Sequence, residues 1–141
     1  MVMMKKWVNL MILGCLAAAL LLSVACSESD GTGDSSGWVG TTPLSEALTN
    51  GKPTVAEFGA ATCVPCIAMK PILEGIVAEY GDRINLSFID VRYNSNLTTK
   101  YKITLIPTQV FFDSVGQEVT RHVGYWSKED VLAHLEELGF I

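Results

Sequence analysis

The sequence predicts an α/β fold in which helices cover both faces of a mixed central sheet of four to five strands. Three observations carry this. Apolar, strand-like runs alternate with helix-like segments from residue 42 to residue 112. Two further strand-like runs then follow each other across the short turn Ser114-Val115-Gly116-Gln117. The chain closes on an amphipathic helix. Alternation implies parallel neighbours joined by helical crossovers, and the hairpin adds an antiparallel pair. About a hundred residues, from 41 to 141, are enough for one core.

Each element has a local cause. Thr42-Pro43 reads as an N-cap followed by proline at the first helical position, opening a short helix through Leu44, Ala47 and Leu48 that ends near Asn50-Gly51. Pro53 leads into the apolar strand "TVAEFGA". A helix over about 64–80 carries Ile67, Met69, Ile72, Leu73, Ile76 and Val77 and closes at Gly81-Asp82. Pro71 removes the bond to the Ile67 carbonyl and is expected to kink it. "INLSFIDV" is the next strand, followed by a short helix around Leu97–Tyr101. Pro107 precedes the strand "TQVFFD", and "EVTRHVG" returns as its hairpin partner. Ser127-Lys128-Glu129-Asp130 has the pattern of a capping box. It opens a helix whose Val131, Leu132, Leu135 and Leu138 share one face, with Gly139 placed to stop it.

Residues 1–25 stand apart from this domain. Lys5 and Lys6 precede an uncharged, apolar run from Trp7 to Ala25, the layout of a secretory signal. Nineteen such residues also suffice for an uncleaved anchor. The end of the run, "LLSVACSES", resembles a bacterial lipoprotein signal, with Ala25 before Cys26 as the lipidation site. Ser23-Val24-Ala25 also suits an ordinary signal peptidase, but lipidation at Cys26 is the favoured reading. Residues 26–40 are read as a lipidated or free N-terminus and a flexible linker, because "SESDGTGDSSG" offers nothing to bury. The expected location is the extracytoplasmic or periplasmic face of a bacterial membrane. Removing residues 1–25 takes away two lysines and no acid, so the net charge falls from −5 to −7. Such an acidic body argues against nucleic acid as a partner.

The chain has four cysteines. Cys15 belongs to the leader and Cys26 to the linker, so Cys63 and Cys66 are left to answer to each other. A disulfide framework of the small secreted type is excluded. A structural staple is disfavoured, since so short a loop constrains the unfolded chain little. A redox couple has a physical rationale. A helix N-terminus lowers a thiol's pKa, and Cys63 stands where the helix begins, with Cys66 one turn in. Pro65 is tolerated in a first turn and stiffens the ring.

At this point residues 41–141 resemble a thioredoxin. The resemblance rests on the strand "TVAEF", the Cys63-Val64-Pro65-Cys66 motif opening a helix with "KPIL", the Ile106-Pro107-Thr108 turn and Gly124 after the last strand. It implies the thioredoxin fold and a monomeric thiol–disulfide oxidoreductase whose only redox group is its own disulfide. It further implies Cys63 as exposed nucleophile, Cys66 as resolving thiol, Pro107 as a cis-proline facing them and Glu57 in the place of a buried acid. Thr62, Ile106, Pro107 and Gly124 would line the substrate-binding surface. Thr62 stands where the family commonly has Trp, and Gly59 where another aromatic is frequent. Protein disulfides would be the substrates, a membrane protein the electron donor, and the lipid bilayer a partner of the N-terminus.

Glu57 shares a strand face with Val55 and Gly59, opposite Ala56 and Phe58. If both faces are covered its pKa rises, and a protonatable carboxyl near Cys66 can exchange the resolving thiol's proton. A solvated Glu57 at a sheet edge is the alternative. Tyr125 and Trp126 either extend the surface around the site or pack against the last helix. His122 and His134 raise a second reading, a copper or cytochrome-maturation chaperone using the thiols as ligands. Neither His sits in a ligand motif, His134 is expected at the surface, and no metal site is assigned.

Overall fold

The computed structural model describes residues 37–141. The leader, Cys26 as a lipidation site and most of the linker lie outside the described residues. Eight elements follow one another: α1 (Leu44–Ala47), β1 (Thr54–Gly59), α2 (Val64–Tyr80), β2 (Asn85–Asp90), α3 (Ser95–Lys100), β3 (Thr108–Phe112), β4 (Glu118–Val123) and α4 (Lys128–Glu137). The strands form one sheet in the order β2-β1-β3-β4. β1 runs parallel to β2 and antiparallel to β3, and β4 continues antiparallel beyond β3. This is the expected mixed sheet, with four strands, in the thioredoxin topology. No described helix is long and apolar enough to cross a membrane.

Strand alternation sorts the core into two layers. On one face Val55, Leu86 and Phe111 meet Met69, Leu73 and Ile76 of α2 and Val131 and Leu135 of α4. On the other, Ala56, Phe58, Ile89, Val110 and Phe112 meet Leu44 of α1, with Leu97, Tyr101 and Ile103 packed alongside. β1 and β3 are buried along their whole length because helices cover both faces. β4 is an edge strand with mostly exposed or half-buried residues. Trp38, ahead of the first helix, stacks on Phe88 with ring centroids 4.4 Å apart.

Two local expectations change, at α1 and at His134. α1 begins at Leu44 with Pro43, not Thr42, in the capping position, and it ends by Leu48. Thr42 is engaged with the sheet instead: its N–H donates to the Leu86 carbonyl at 2.7 Å, and its carbonyl accepts from the Ser87 hydroxyl at 2.6 Å. α2 continues through Pro71 as one element. Pro71 and Ile67 are both exposed, so water can serve the carbonyl that the proline leaves unpaired. His134 is half-buried, its ring edge-on to Phe111 at 5.0 Å.

The ends of α4 follow the sequence closely. The Ser127 hydroxyl accepts from the Asp130 N–H at 3.1 Å. At the other end Gly139 is left-handed, at φ +69. Its N–H reaches the Glu136 carbonyl and that of Phe140 the Leu135 carbonyl, which together make a Schellman motif. Phe140 is thereby folded back into the core. Loss of the Ser127 cap is expected to be measurable. Ser127→Ala should lower stability by about 1 kcal/mol in urea unfolding, and an unchanged midpoint would show that the cap does not hold the helix.

Candidate active site

The site is built where β1 ends and α2 begins. After Gly59 and Ala60 the chain turns, and the Cys63 N–H donates to the Ala60 carbonyl at 3.0 Å. Cys63 is the N-cap of α2, with extended φ and ψ, and Val64 and Pro65 are its first helical residues. Proline suits this place because the first N–H groups of a helix have no intrahelical partner. Cys63 and Cys66 form a disulfide with Cα atoms 5.2 Å apart. Cys63 is half-buried, whereas Cys66 is buried beneath the first turn. No acidic side chain occupies that turn, so nothing there opposes the positive end of the helix.

Gly59 makes room for this arrangement. A Cβ at Gly59 would stand 3.2 Å from the Cys66 Cβ, 3.3 Å from its sulfur and 3.3 Å from the Phe88 ring. A small residue lets Cys66 rest on the strand. A shallow cleft on the β2 side of the pair is lined by Cys66, Ala60, Ala61, Phe88, Trp38 and Lys70.

Asp90, which the sequence reading passed over, holds the preceding turn. Its buried carboxylate accepts from the Arg92 N–H at 3.0 Å and from Nε at 2.9 Å, and pairs with Nη2 at 2.6 Å. These bonds from Arg92, with a further one from the Ala61 backbone, hold its pKa below the usual carboxylate range. The "DVR" spacing could have signalled it.

Glu57 is wholly buried, not solvated at an edge. Its register partners are Phe88 on β2 and Gln109 on β3, and neither is a cation. Burial pushes its pKa up to about 8, and a hydrogen bond from Gln109 Nε2 at 2.7 Å pulls the other way. Glu57 lies two residues before Gly59 on the same face, about 7 Å away along the strand, which puts its carboxyl on the Cys66 side of the sheet.

The Ile106–Pro107 bond is cis, as the resemblance implied. Phe58 pairs with Thr108, so the next step of the antiparallel register brings Pro107 opposite Gly59, beside the cysteines. The Gly124 N–H donates to the Pro107 carbonyl at 2.8 Å, fixing the end of β4 to this turn. Ile106 is half-buried and Thr62 exposed on the same end of the sheet. Trp126 packs against the core, its backbone N–H on the Met69 sulfur at 3.3 Å, whereas Tyr125 is exposed. His122 stands edge-on to Trp126 at 4.0 Å. Burial, with the nearby His134, pushes its pKa down to about 4, which keeps the ring neutral at neutral pH. Among the described residues no group of three or more His, Cys, Asp or Glu side chains is placed to hold a metal ion.

Two cysteines on a helix start, one accessible and one shielded, define a protein that carries out thiol–disulfide exchange. A family model described as "Thioredoxin" matches residues 40–137. The chain is 32% identical over 93 residues to a thioredoxin of Alicyclobacillus acidocaldarius subsp. acidocaldarius, covering 66% of this chain and 88% of that one. It is 36% identical over 91 residues to a thioredoxin of Acidithiobacillus ferridurans, covering 64% and 83%. A mutant thioredoxin from Halobacterium salinarum superposes with a TM-score of 0.62 at 26% identity, over 67% of this chain and 80% of that structure. The chain belongs to the thioredoxin family, and its Cys63–Cys66 pair supplies the thiol–disulfide oxidoreductase activity.

The buried carboxyl makes stability depend on pH. Glu57 titrates near 8 in the folded protein against 4.5 for an unperturbed side chain. Between those values the folded state binds the extra proton, so stability falls as pH rises through the window. Glu57→Gln removes this term. Relative to the variant, the wild type should lose up to about 1.4 kcal/mol per pH unit between about pH 5 and 8, read as urea midpoints. Parallel midpoints would show that Glu57 is not held protonated.

Proposed function

We propose that this chain is an exported, membrane-tethered protein-disulfide reductase. The carrying observation is the asymmetry of the pair, with Cys63 accessible at the N-cap of α2 and Cys66 buried one turn on. The Cys63 thiolate attacks a substrate disulfide, and one substrate sulfur leaves with the electron pair. Cys66 gives its proton to Glu57 in its ionised form and attacks the Cys63 sulfur of the mixed disulfide. The second substrate sulfur leaves, and the Cys63–Cys66 disulfide forms. A membrane donor then returns two electrons, since no soluble thiol reductant is expected outside the cytoplasm.

The turn Ile106-Pro107 and the adjoining Gly124 and Thr62 form the docking edge, where an extended substrate segment pairs by backbone hydrogen bonds. The apolar run 7–25, Cys26 and the polar linker support the tether. Lipidation at Cys26 would place the domain on the outer face of a bacterial membrane.

Four measurements test this. Cys63→Ser should abolish reduction of a protein disulfide such as insulin, whereas Cys66→Ser should accumulate a covalent mixed disulfide that identifies the substrate. Cys26→Ser should release the protein from the membrane fraction and leave the exchange rate intact; continued membrane retention would sink the lipid anchor. A reduction potential near about −120 mV, that of a strong oxidant, would overturn the reducing direction.

A further inference from the structure

We propose that Gln109 is a positioning residue for proton transfer from Cys66: its amide holds one oxygen of Glu57 and so presents the other, Oε1, to the resolving thiol. The inference rests on Glu57 being the base, as proposed above. Glu57 and Gln109 are register partners on adjacent antiparallel strands, and both side chains are buried. Gln109 Nε2 donates to Glu57 Oε2 at 2.7 Å, while Oε1 has no partner within the protein. A buried carboxyl with one oxygen held and the other open is set to take a proton at a defined atom.

No other described group does this work. Phe88 faces Glu57 from β2 and carries no donor. On the same face α2 contributes Cys66 and Met69, and α4 contributes Val131 and Leu135. The Lys70 ammonium of α2 is committed to Glu74 at 2.7 Å. His122, the register partner of Gln109, lies one strand further out and stands edge-on to Trp126. The amide proton of Gln109 is not transferred in this scheme. The Cys66 S–H bond breaks, its proton passes to Oε1, and the sulfur keeps the electron pair with which it attacks Cys63. Holding Oε2 also favours the ionised carboxylate that accepts the proton, against the effect of burial.

Gln109→Met keeps the length and removes the donor. The full-length chain is compared as wild type, Glu57→Gln, Gln109→Met and the double variant. One readout is release of a thionitrobenzoate probe from its mixed disulfide on Cys63, followed against pH. The other is the 13C titration of the Glu57 carboxyl. Gln109→Met should slow release about tenfold at pH 7, the effect of one unit in a base's pKa, and move both the acid limb and the carboxyl titration to higher pH. It should add no slowing to Glu57→Gln. Gln109→Glu, in which two carboxyls would share a proton, should move the limb further in the same direction and serves if the Met variant does not fold. A slow Glu57→Gln beside a Gln109→Met with an unmoved acid limb overturns the role of Gln109 alone. A Glu57→Gln as fast as wild type removes Glu57 as the base and this inference with it.

Discussion

The seating of Cys66 on Gly59 is the contact on which the site depends. It fixes how closely the first turn of α2 approaches the end of β1, and Met69, Leu73 and Ile76 then enter the core on successive turns of the same helix. A Cβ at Gly59 would crowd the Cys66 Cβ and sulfur and the Phe88 ring at 3.2–3.3 Å, so these neighbours would have to give by a few tenths of an ångström. The chemistry of the pair follows from the same contact. It buries one thiol and leaves the other at the helix end, so the two cysteines differ although their residue type and helix are shared. The burial also sends Cys66 toward the strand face that carries Glu57.

Placing a carboxyl in that layer works against stability, because burial disfavours its charged form and no cation compensates. The fold answers with a single amide from the neighbouring strand, which satisfies one oxygen and leaves the other open. Functional sites commonly break a rule of core construction in this way. Here the exception is confined to a short stretch of two strands, within a layer otherwise filled by Val55, Phe111 and the apolar face of α2.

Most of the architecture was legible because it depends on local pattern. The limits of α2, the hairpin and the two ends of α4 follow from periodicity, proline, glycine and a capping serine. The cysteine pair was legible because spacing and helix start are both local. What escaped depends on register between distant segments. Gln109 reads as one polar residue in an apolar strand until β3 is laid beside β1, 52 positions away in sequence. Thr42 looks like a cap until the sheet claims its backbone. His134, three residues after Val131 and four before Leu138, borders the apolar stripe of its own helix, where Phe111 and Trp126 from other segments meet it. The cis bond before Pro107 came from family likeness, not from the residues themselves, since most X–Pro bonds are trans.

The stack of Trp38 on Phe88 bears on how the protein can be approached. Phe88 belongs to β2 and Pro107 leads into β3, so the two lie on opposite flanks of Gly59 and Cys66. The chain's own entry into the domain thus occupies one flank of the dithiol, with the Lys70 ammonium above the indole. Ile106, Gly124 and the exposed Tyr125 lie on the other flank. Whatever precedes Trp38 is therefore joined to the domain beside its reactive end, so the point of attachment and the working face turn together.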